Sequence, residues 1–313
     1  MTDRPVPAPV IAVAQPHLGP LIPLLSGLYE PLPLWEEATL SRLGEVRAMI
    51  TAGEFAIPRD LVEQMPALGL IACFTVGYDG IDVPWATARG LEVSHARDAN
   101  DEDVADHAIG LILGHRRRIV EGDRRLRAGE WRADDKPLSR SLAGAKIGIV
   151  GLGSIGVAVA RRAEVMRMQV GWWGPKPKPA AKWPRAESLV DLAKASDIVV
   201  VAARAHAGNV GMISAEVIEA LGPKGLLVNV ARGQIVDEDA LIAALKDGRL
   251  GGAALDVYAT EPTPVERWAD VPNTVLTPHT AGATDIAVQR MAAMLMANLA
   301  AFFAGQPLPT PAH

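Results

Sequence analysis

The chain has one cysteine in 313 residues, few aromatic residues and no excess of positive charge. Each shortage excludes something. A single thiol, Cys73, closes no disulfide within the chain and builds no thiolate metal cluster, so stability must come from a packed core, and a reducing cytoplasm is the expected compartment. Its place in the apolar run "LGLIACFT" reads as a small buried hydrophobe. Aromatics at 4% beside hydrophobic residues at 49% leave the core to aliphatic side chains, which suits parallel strands covered by helices. The formal net charge of -5 argues against a general binder of nucleic acid or of anionic membrane surfaces. No run reaches the roughly eighteen apolar residues of a spanning helix, and "MTDRPVPAPVIAVAQPH" lacks the basic segment and long apolar stretch of an export signal. Neither nucleic acid nor membrane is therefore an expected partner. The histidines His17, His107, His115, His206 and His313 show no spacing with acidic residues that would make a metal site, so no metal is expected.

What is there is an alternation of short apolar runs and helical stretches, twice over. From Val10 to Ala96 the runs "VIAVA", "LPLW", "VRAMITAG", "LGLIACFT" and "LEVSHA" alternate with helical segments, as βαβ units and a parallel sheet require. A long connecting helix is expected within "DANDEDVADHAIGLILGHRRRIVEGDRRLRAGEW", with Asn100 or Asp101 as its N-cap and His107 packing inside it. The basic run His115 to Arg127 is interrupted by Glu121 and Asp123, which makes it a solvated or subunit-contact face. A second series follows through "AKIGIVGLGSIG", "MQVGWW", "SDIVVVA", "GLLVNVA", "GGAALDV" and "NTVLTPH". The apolar tail "DIAVQRMAAMLMANLAAFFAG" is expected to return to the first domain. The fold class is thus α/β with two doubly wound parallel-sheet domains. A flavodoxin-like substrate domain takes residues 1–98 and 285–313, and a Rossmann cofactor domain, residues 99–284, is inserted into it.

In "IGIVGLGSIGVAVARRA" the residues Gly151, Gly153 and Gly156 form G-x-G-x-x-G directly after an apolar strand and before a helical pattern. Gly151 allows the tight turn, Gly153 lets backbone approach a pyrophosphate, and Gly156 packs helix on strand; the amides of Ser154 and Ile155 face the phosphates. A nicotinamide dinucleotide is the expected ligand, against a glycine turn serving packing alone or an FAD site. Three polar residues stand at the ends of later strands: Arg232, Glu261 and His279. A guanidinium holds a carboxylate, an imidazole exchanges a proton near neutral pH, and a carboxylate orients that imidazole. With a hydride donor the set suits reduction of a 2-oxo acid. Asp256 is either a structural acceptor or a residue facing the nicotinamide, the second being preferred.

The segments "FTVGYDGIDV", "GLGSIG", "VNVARGQIVDEDAL", "GGAALDVYATEP" and "TPHTAGAT" resemble, in order and spacing, the successive motifs of the D-isomer-specific 2-hydroxyacid dehydrogenases. The resemblance spans nearly the whole chain and is greatest to the glyoxylate and hydroxypyruvate reductases, the plant hydroxyphenylpyruvate reductases included. It implies that Arg232, Glu261 and His279 are catalytic, that the Val76 and Gly77 amides take the substrate carboxylate, and that Asp256, Ala231 and Gly282 lie along the cofactor. It also implies closure of two domains on the substrate, and a homodimer formed through the connecting helix and the loop to Trp131. The implied reaction is reduction of glyoxylate or hydroxypyruvate to the D-2-hydroxy acid. Hydroxyphenylpyruvate or 2-ketogluconate is the alternative substrate, and a dinucleotide-sensing corepressor or scaffold is the alternative of another class. Substrate size would be set by "TAGEFAIP", Tyr78 and "WRADDKPLSR".

One stretch departs from the usual pattern. Where an NAD enzyme carries Asp or Glu to bind the ribose hydroxyls, "VGWWGPKPKPAAKW" offers Trp173, Gly174 and Lys176, with no carboxylate before Glu187. The arginine usual in the NADPH-using reductases is replaced by Pro175. A second departure, "VVAARAHAGN", places Arg204 and His206 on the loop after the next strand. NADPH is therefore the expected cofactor, with NAD as the alternative, and Lys176 and Arg204 are the expected contacts of the 2′-phosphate. Adjacent strand residues face opposite sides, so at most one of Trp172 and Trp173 faces the adenosine, and core packing is the safer reading for both.

Overall fold

The computed structural model describes residues 7–131, 134 and 137–312. His313 and part of "WRADDKPLSR" lie outside the described residues. The chain divides into two compact units: one runs to Asn100 and resumes at Asp285, and the other is Asp101–Thr284.

The first unit is built on five parallel strands: β1 (Val10–Val13), β2 (Glu30–Pro33), β3 (Val46–Thr51), β4 (Leu70–Cys73) and β5 (Glu92–Ser94). Their order is β2-β1-β3-β4-β5, the flavodoxin-like arrangement. β1 and β4 are buried throughout, because both faces of the sheet carry a core. On one face Ile11, Ile50 and Leu70 pack with Ala287, Met291, Leu295 and Leu299. Those four belong to the helix Asp285–Phe303 and recur every four residues, so one stripe, with Asn298 beside it, is buried while most of the helix stays accessible. That helix is long and apolar enough to cross a membrane by composition alone, which the sequence reading did not anticipate; its buried stripe lies on the sheet. The other face holds Val10, Met49, Ile71 and Cys73.

The second unit carries six parallel strands: β6 (Lys146–Val150), β7 (Gln169–Trp173), β8 (Ile198–Val201), β9 (Leu226–Asn229), β10 (Gly252–Leu255) and β11 (Thr274–Leu276). Their order is β11-β10-β9-β8-β6-β7. Chain progress reverses between β6 and β8, which puts a ligand crevice at the carboxyl ends of those neighbours. Beyond β7 the described residues add an isolated bridge, Trp172 with Arg185, and Pro175, Pro177, Pro179 and Pro184 there lack the N–H groups a longer ladder would use.

The single connecting helix expected from the sequence is two helices, Asp101–Arg116 and Ile119–Arg127, separated by Arg118 in a left-handed conformation with φ 54. The first is held by buried Val104, Ala105, Ala108, Leu111 and Ile112. The second has no fully buried residue, so little packing holds it in line with the first.

Candidate active site

The glycine turn connects β6 to the helix Ser154–Val165. Gly151 has φ +90, and a Cβ there would stand 2.6 Å from the Ala203 Cα, so this turn lies directly against the loop after β8. A Cβ on Gly156 would stand 2.1 Å from the Gly151 carbonyl oxygen, which is why the helix sits so tightly on the turn. At Gly153 a Cβ would meet nothing within 4 Å. Gly153 and Ser154 are exposed, Ile155 is half-buried, and no side chain caps the helix start. The first-turn amides have no partner inside the helix. An open face lined with N–H groups at the positive end of a helix fits a dinucleotide pyrophosphate.

Arg232, Glu261 and His279 come from the loops after β9, β10 and β11. His279 Nδ1 is 2.6 Å from Glu261 Oε2, and Glu261 Oε1 accepts the Tyr258 amide at 2.9 Å. The bond to Glu261 raises the His279 pKa above its ordinary 6.5, against burial and the charge of Arg232, which lower it. Burial alone would raise the Glu261 pKa, but the bond from His279, the Tyr258 amide and the charges of His279 and Arg232 hold it below the ordinary value. Arg232 is placed by its own turn. Asn229, nearly fully buried, accepts the Ala231 amide and donates to the Arg232 carbonyl, and Arg232 Nη1 donates to the Ala231 carbonyl at 2.8 Å. Both polar backbone groups of Ala231 are thus engaged within the protein. The Arg232 turn meets the Glu261 loop at Gly233, where a Cβ would stand 1.8 Å from the Tyr258 carbonyl carbon. Only glycine permits that approach.

Of the two places open to Asp256 from the sequence, structural acceptor or nicotinamide-facing residue, its bonds show the first. It is 1% exposed, and its oxygens accept from Thr277 Oγ1 at 2.6 Å, the Thr280 amide at 2.9 Å and the Ala281 amide at 2.8 Å. Burial favours its neutral form, yet the neighbouring His107, 3.4 Å away, and then the bonds from Thr277 and the two amides lower its pKa. The carboxylate therefore clamps the chain on both sides of His279, whose own amide donates to the Asp256 carbonyl at 2.8 Å. His279 has φ 54, a conformation that costs a non-glycine residue energy and persists where neighbours over-determine it. Gly282, next along, is half-buried.

The segment after β7 distributes its cations unevenly. Lys182 pairs with Glu164 at 2.7 Å, and Arg185 donates twice to the Gly174 carbonyl, at 3.2 and 2.8 Å. Lys178 donates to the Leu152 carbonyl inside the glycine turn. Lys176 is exposed and has no partner among the described residues. Trp172 is buried in the core on one face, with Nε1 on the Trp183 carbonyl at 3.0 Å, and Trp173 packs half-buried in the core on the other. Arg204 is exposed on the loop beyond Ala203. His206 Nδ1 accepts the Gly208 amide at 3.0 Å, so the ring caps the short turn that follows it.

A family model, "D-isomer specific 2-hydroxyacid dehydrogenase, NAD binding domain", matches residues 109–281. The hydroxyphenylpyruvate reductase of Plectranthus scutellarioides is 41% identical over 266 residues, 85% of each chain. The chain belongs to the D-isomer specific 2-hydroxyacid dehydrogenase family. It is accordingly an oxidoreductase that binds a nicotinamide dinucleotide. Two solved structures resemble this dehydrogenase over almost their full lengths. A 2-hydroxyacid dehydrogenase from Ketogulonicigenium vulgare Y25 has a TM-score of 0.90 and 38% identity, covering 98% of this chain and 99% of that one. An NADPH-dependent glyoxylate/hydroxypyruvate reductase from Sinorhizobium meliloti, in complex with NADP and malonate, has a TM-score of 0.88 and 36% identity, covering 97% and 96%.

In the first unit of this 2-hydroxyacid dehydrogenase, the loop after β4 is tied down through its carbonyls. The Val76 carbonyl accepts from His95 Nδ1 at 2.9 Å, and the Gly77 carbonyl accepts from Thr75 Oγ1 at 2.9 Å and from Cys73 Sγ at 3.4 Å. The Val76 and Gly77 amides have no partner among the described residues, leaving two N–H groups for an anion. Cys73 is the buried residue expected; burial raises its thiol pKa to about 11. Gly53 makes the loop possible: a Cβ there would stand 1.9 Å from the Gly77 carbonyl oxygen. Sequence reasoning missed His95, Gly53, Gly233 and the bond from His107 to Thr277. The one available signal was a polar histidine at 107 on the otherwise apolar inner side of its helix.

Proposed function

We propose that the chain is an NADPH-preferring reductase of a small 2-oxo acid, glyoxylate or hydroxypyruvate, giving the D-2-hydroxy acid. The observation that carries the reading is the 2.6 Å pair of His279 and Glu261 beside the charge of Arg232, in the unit whose glycine turn fits a dinucleotide. The bound reduced cofactor supplies the hydride. Arg232 binds the anionic substrate and draws electron density toward its carbonyl oxygen. His279, with Nδ1 committed to Glu261, keeps Nε2 for the substrate, and as imidazolium it donates that proton to the oxygen as negative charge develops there. Glu261 fixes the ring and stabilises its charged form. Hydroxyphenylpyruvate, the substrate in the name of the plant relative, is the second substrate to consider.

For the cofactor, the absence of a carboxylate after β7 and the presence of Lys176 and Lys178 support NADPH, as does the NADP bound in the Sinorhizobium relative. Lys178 already reaches the glycine turn, and we add it to Lys176 and Arg204 as a candidate contact for the 2′-phosphate. A cytoplasmic homodimer completes the proposal. Exposed Ile119, Val120 and Leu126, on a helix that buries none of its own residues, support that contact.

The test is oxidation of NADPH and NADH by wild type with a panel of glyoxylate, hydroxypyruvate, hydroxyphenylpyruvate and 2-ketogluconate. Turnover with the two small acids and preference for NADPH are expected. No oxidation of either cofactor with any acid would overturn the reading in favour of a dinucleotide-sensing role. In Lys176→Ala, Lys178→Ala and Arg204→Ala, loss of a phosphate contact should lower the NADPH-to-NADH efficiency ratio about tenfold. An unchanged ratio removes that residue from the selector.

A further inference from the structure

The bond between His107 and Thr277 links a helix to the loop of the proposed proton donor across 170 positions of sequence. His107 Nε2 is 2.9 Å from Thr277 Oγ1 and 3.4 Å from Asp256 Oδ1. Thr277 Oγ1 has a single proton. Its distance of 2.6 Å to the Asp256 carboxylate, against 3.4 Å to the Leu255 carbonyl, assigns that proton to Asp256. Thr277 therefore accepts from His107, and Nε2 must carry hydrogen. The result is a directed relay: His107 donates to Thr277, Thr277 to Asp256 Oδ1, and the same carboxylate receives the amides of Thr280 and Ala281.

We propose that His107 is a positioning residue for the proton donor: by donating to Thr277 it orients the Asp256 carboxylate, which holds the Thr277 hydroxyl before His279 and two backbone amides after it. The inference rests on the reading that His279 is that donor. A carboxylate accepting three bonds in fixed directions has one orientation, and loss of the outermost donor leaves Thr277 free to rotate its proton toward Leu255. Asp256 would then lose its shortest bond, and the left-handed backbone at His279 would be held by fewer partners. The immediate effect falls on the geometry of the His279 and Glu261 pair. A histidine serving only to fill space between helix and sheet would have no such directional requirement.

The test follows the His279 ring by NMR in protein labelled at histidine nitrogen, without substrate, its signals assigned by their loss in His279→Gln. The charged groups facing His279 are Glu261, Arg232 and Asp256, and none is altered. In His107→Asn the shorter side chain places its amide nitrogen near the former Nδ1, out of reach of Thr277. Its His279 midpoint should fall by about one pH unit as the bond to Glu261 loosens. In turnover, kcat should fall about tenfold through misplacement of the donor, with a smaller change in KM. His107→Gln, whose amide nitrogen reaches the position of Nε2, should recover most of both effects. Thr277→Val removes the relay hydroxyl and should reproduce the fall, and it carries the test if His107→Asn does not fold. Equal midpoints in wild type and a folded His107→Asn or Thr277→Val protein, or no recovery with glutamine, would overturn the proposal. If no 2-oxo acid is reduced while the midpoints move as expected, the reductase reading fails and the positioning role stands. Turnover with unmoved midpoints gives the reverse.

Discussion

At the scale of single residues, His279 shows how strain and charge are held together. Its backbone lies in the left-handed region, and its ring is bonded to a carboxylate that receives a second bond from a backbone amide. Its raised pKa keeps the imidazolium present below that raised value, so reduction should proceed at lower pH and decline as pH rises through it. Glu261→Gln removes the largest cause of the rise, and the declining limb of kcat/KM should move to lower pH; an unmoved limb would assign the titration elsewhere. The same shifts set the stability of the pair. The His279 contribution is complete below the ordinary histidine value of 6.5 and fades as pH rises through the raised one. The Glu261 contribution is complete above the ordinary 4.5 and fades as pH falls through the lowered one. His279→Gln should bind NADPH with nearly wild-type affinity, measured by fluorescence titration, while kcat falls about 100-fold to 10,000-fold. Retained turnover would remove His279 from acid catalysis. That these residues could meet in one constellation was legible from type and place at strand ends. The bonds of Asp256 were not, because which groups a strand-end aspartate accepts from depends on residues more than twenty positions away.

At the scale of elements, two close approaches of backbone decide where the site residues sit. Gly156 brings the helix onto the glycine turn, and Gly233 brings the Arg232 turn onto the loop of Glu261. In Gly233→Ala the new methyl meets backbone at Tyr258, so relief requires the two loops to part. A loss of about 1–3 kcal/mol in denaturant unfolding is expected from such overpacking, together with a fall in kcat as Arg232 and Glu261 separate. Wild-type stability and turnover in that variant would show that the loops yield freely. The first of these glycines was readable because its motif is local, a strand, a turn and a helix in sequence. The second was not, since Gly233 and Tyr258 are neighbours only through the pairing of β9 with β10. The segment after β7 teaches the same lesson about path. Composition pointed to Lys176 and Lys178 alike, and only the path of the proline-rich chain puts Lys178 on the glycine turn.

At the scale of the whole molecule, both units are parallel sheets with a core on each face, and the family assignment rests on motifs spread through the chain. The proposed homodimer is tested by sedimentation: wild type should behave as a dimer, and Ile119→Glu with Leu126→Glu should shift it toward monomer, because charges at an apolar contact would be buried without partners. A monomeric wild type would remove the proposal. Alternating apolar runs determined the class of fold, since burial on both faces demands near-continuous aliphatic strands, and the glycine turn and strand-end polar residues determined the kind of chemistry. These are local patterns whose physical meaning survives without neighbours. Tertiary structure alone decided that the connecting helix breaks at Arg118, that Asp256 is a clamp, and that His107 reaches Thr277. Each of those depends on which distant groups share one small volume, and hydrogen bonds act over about 3 Å whatever the separation along the chain.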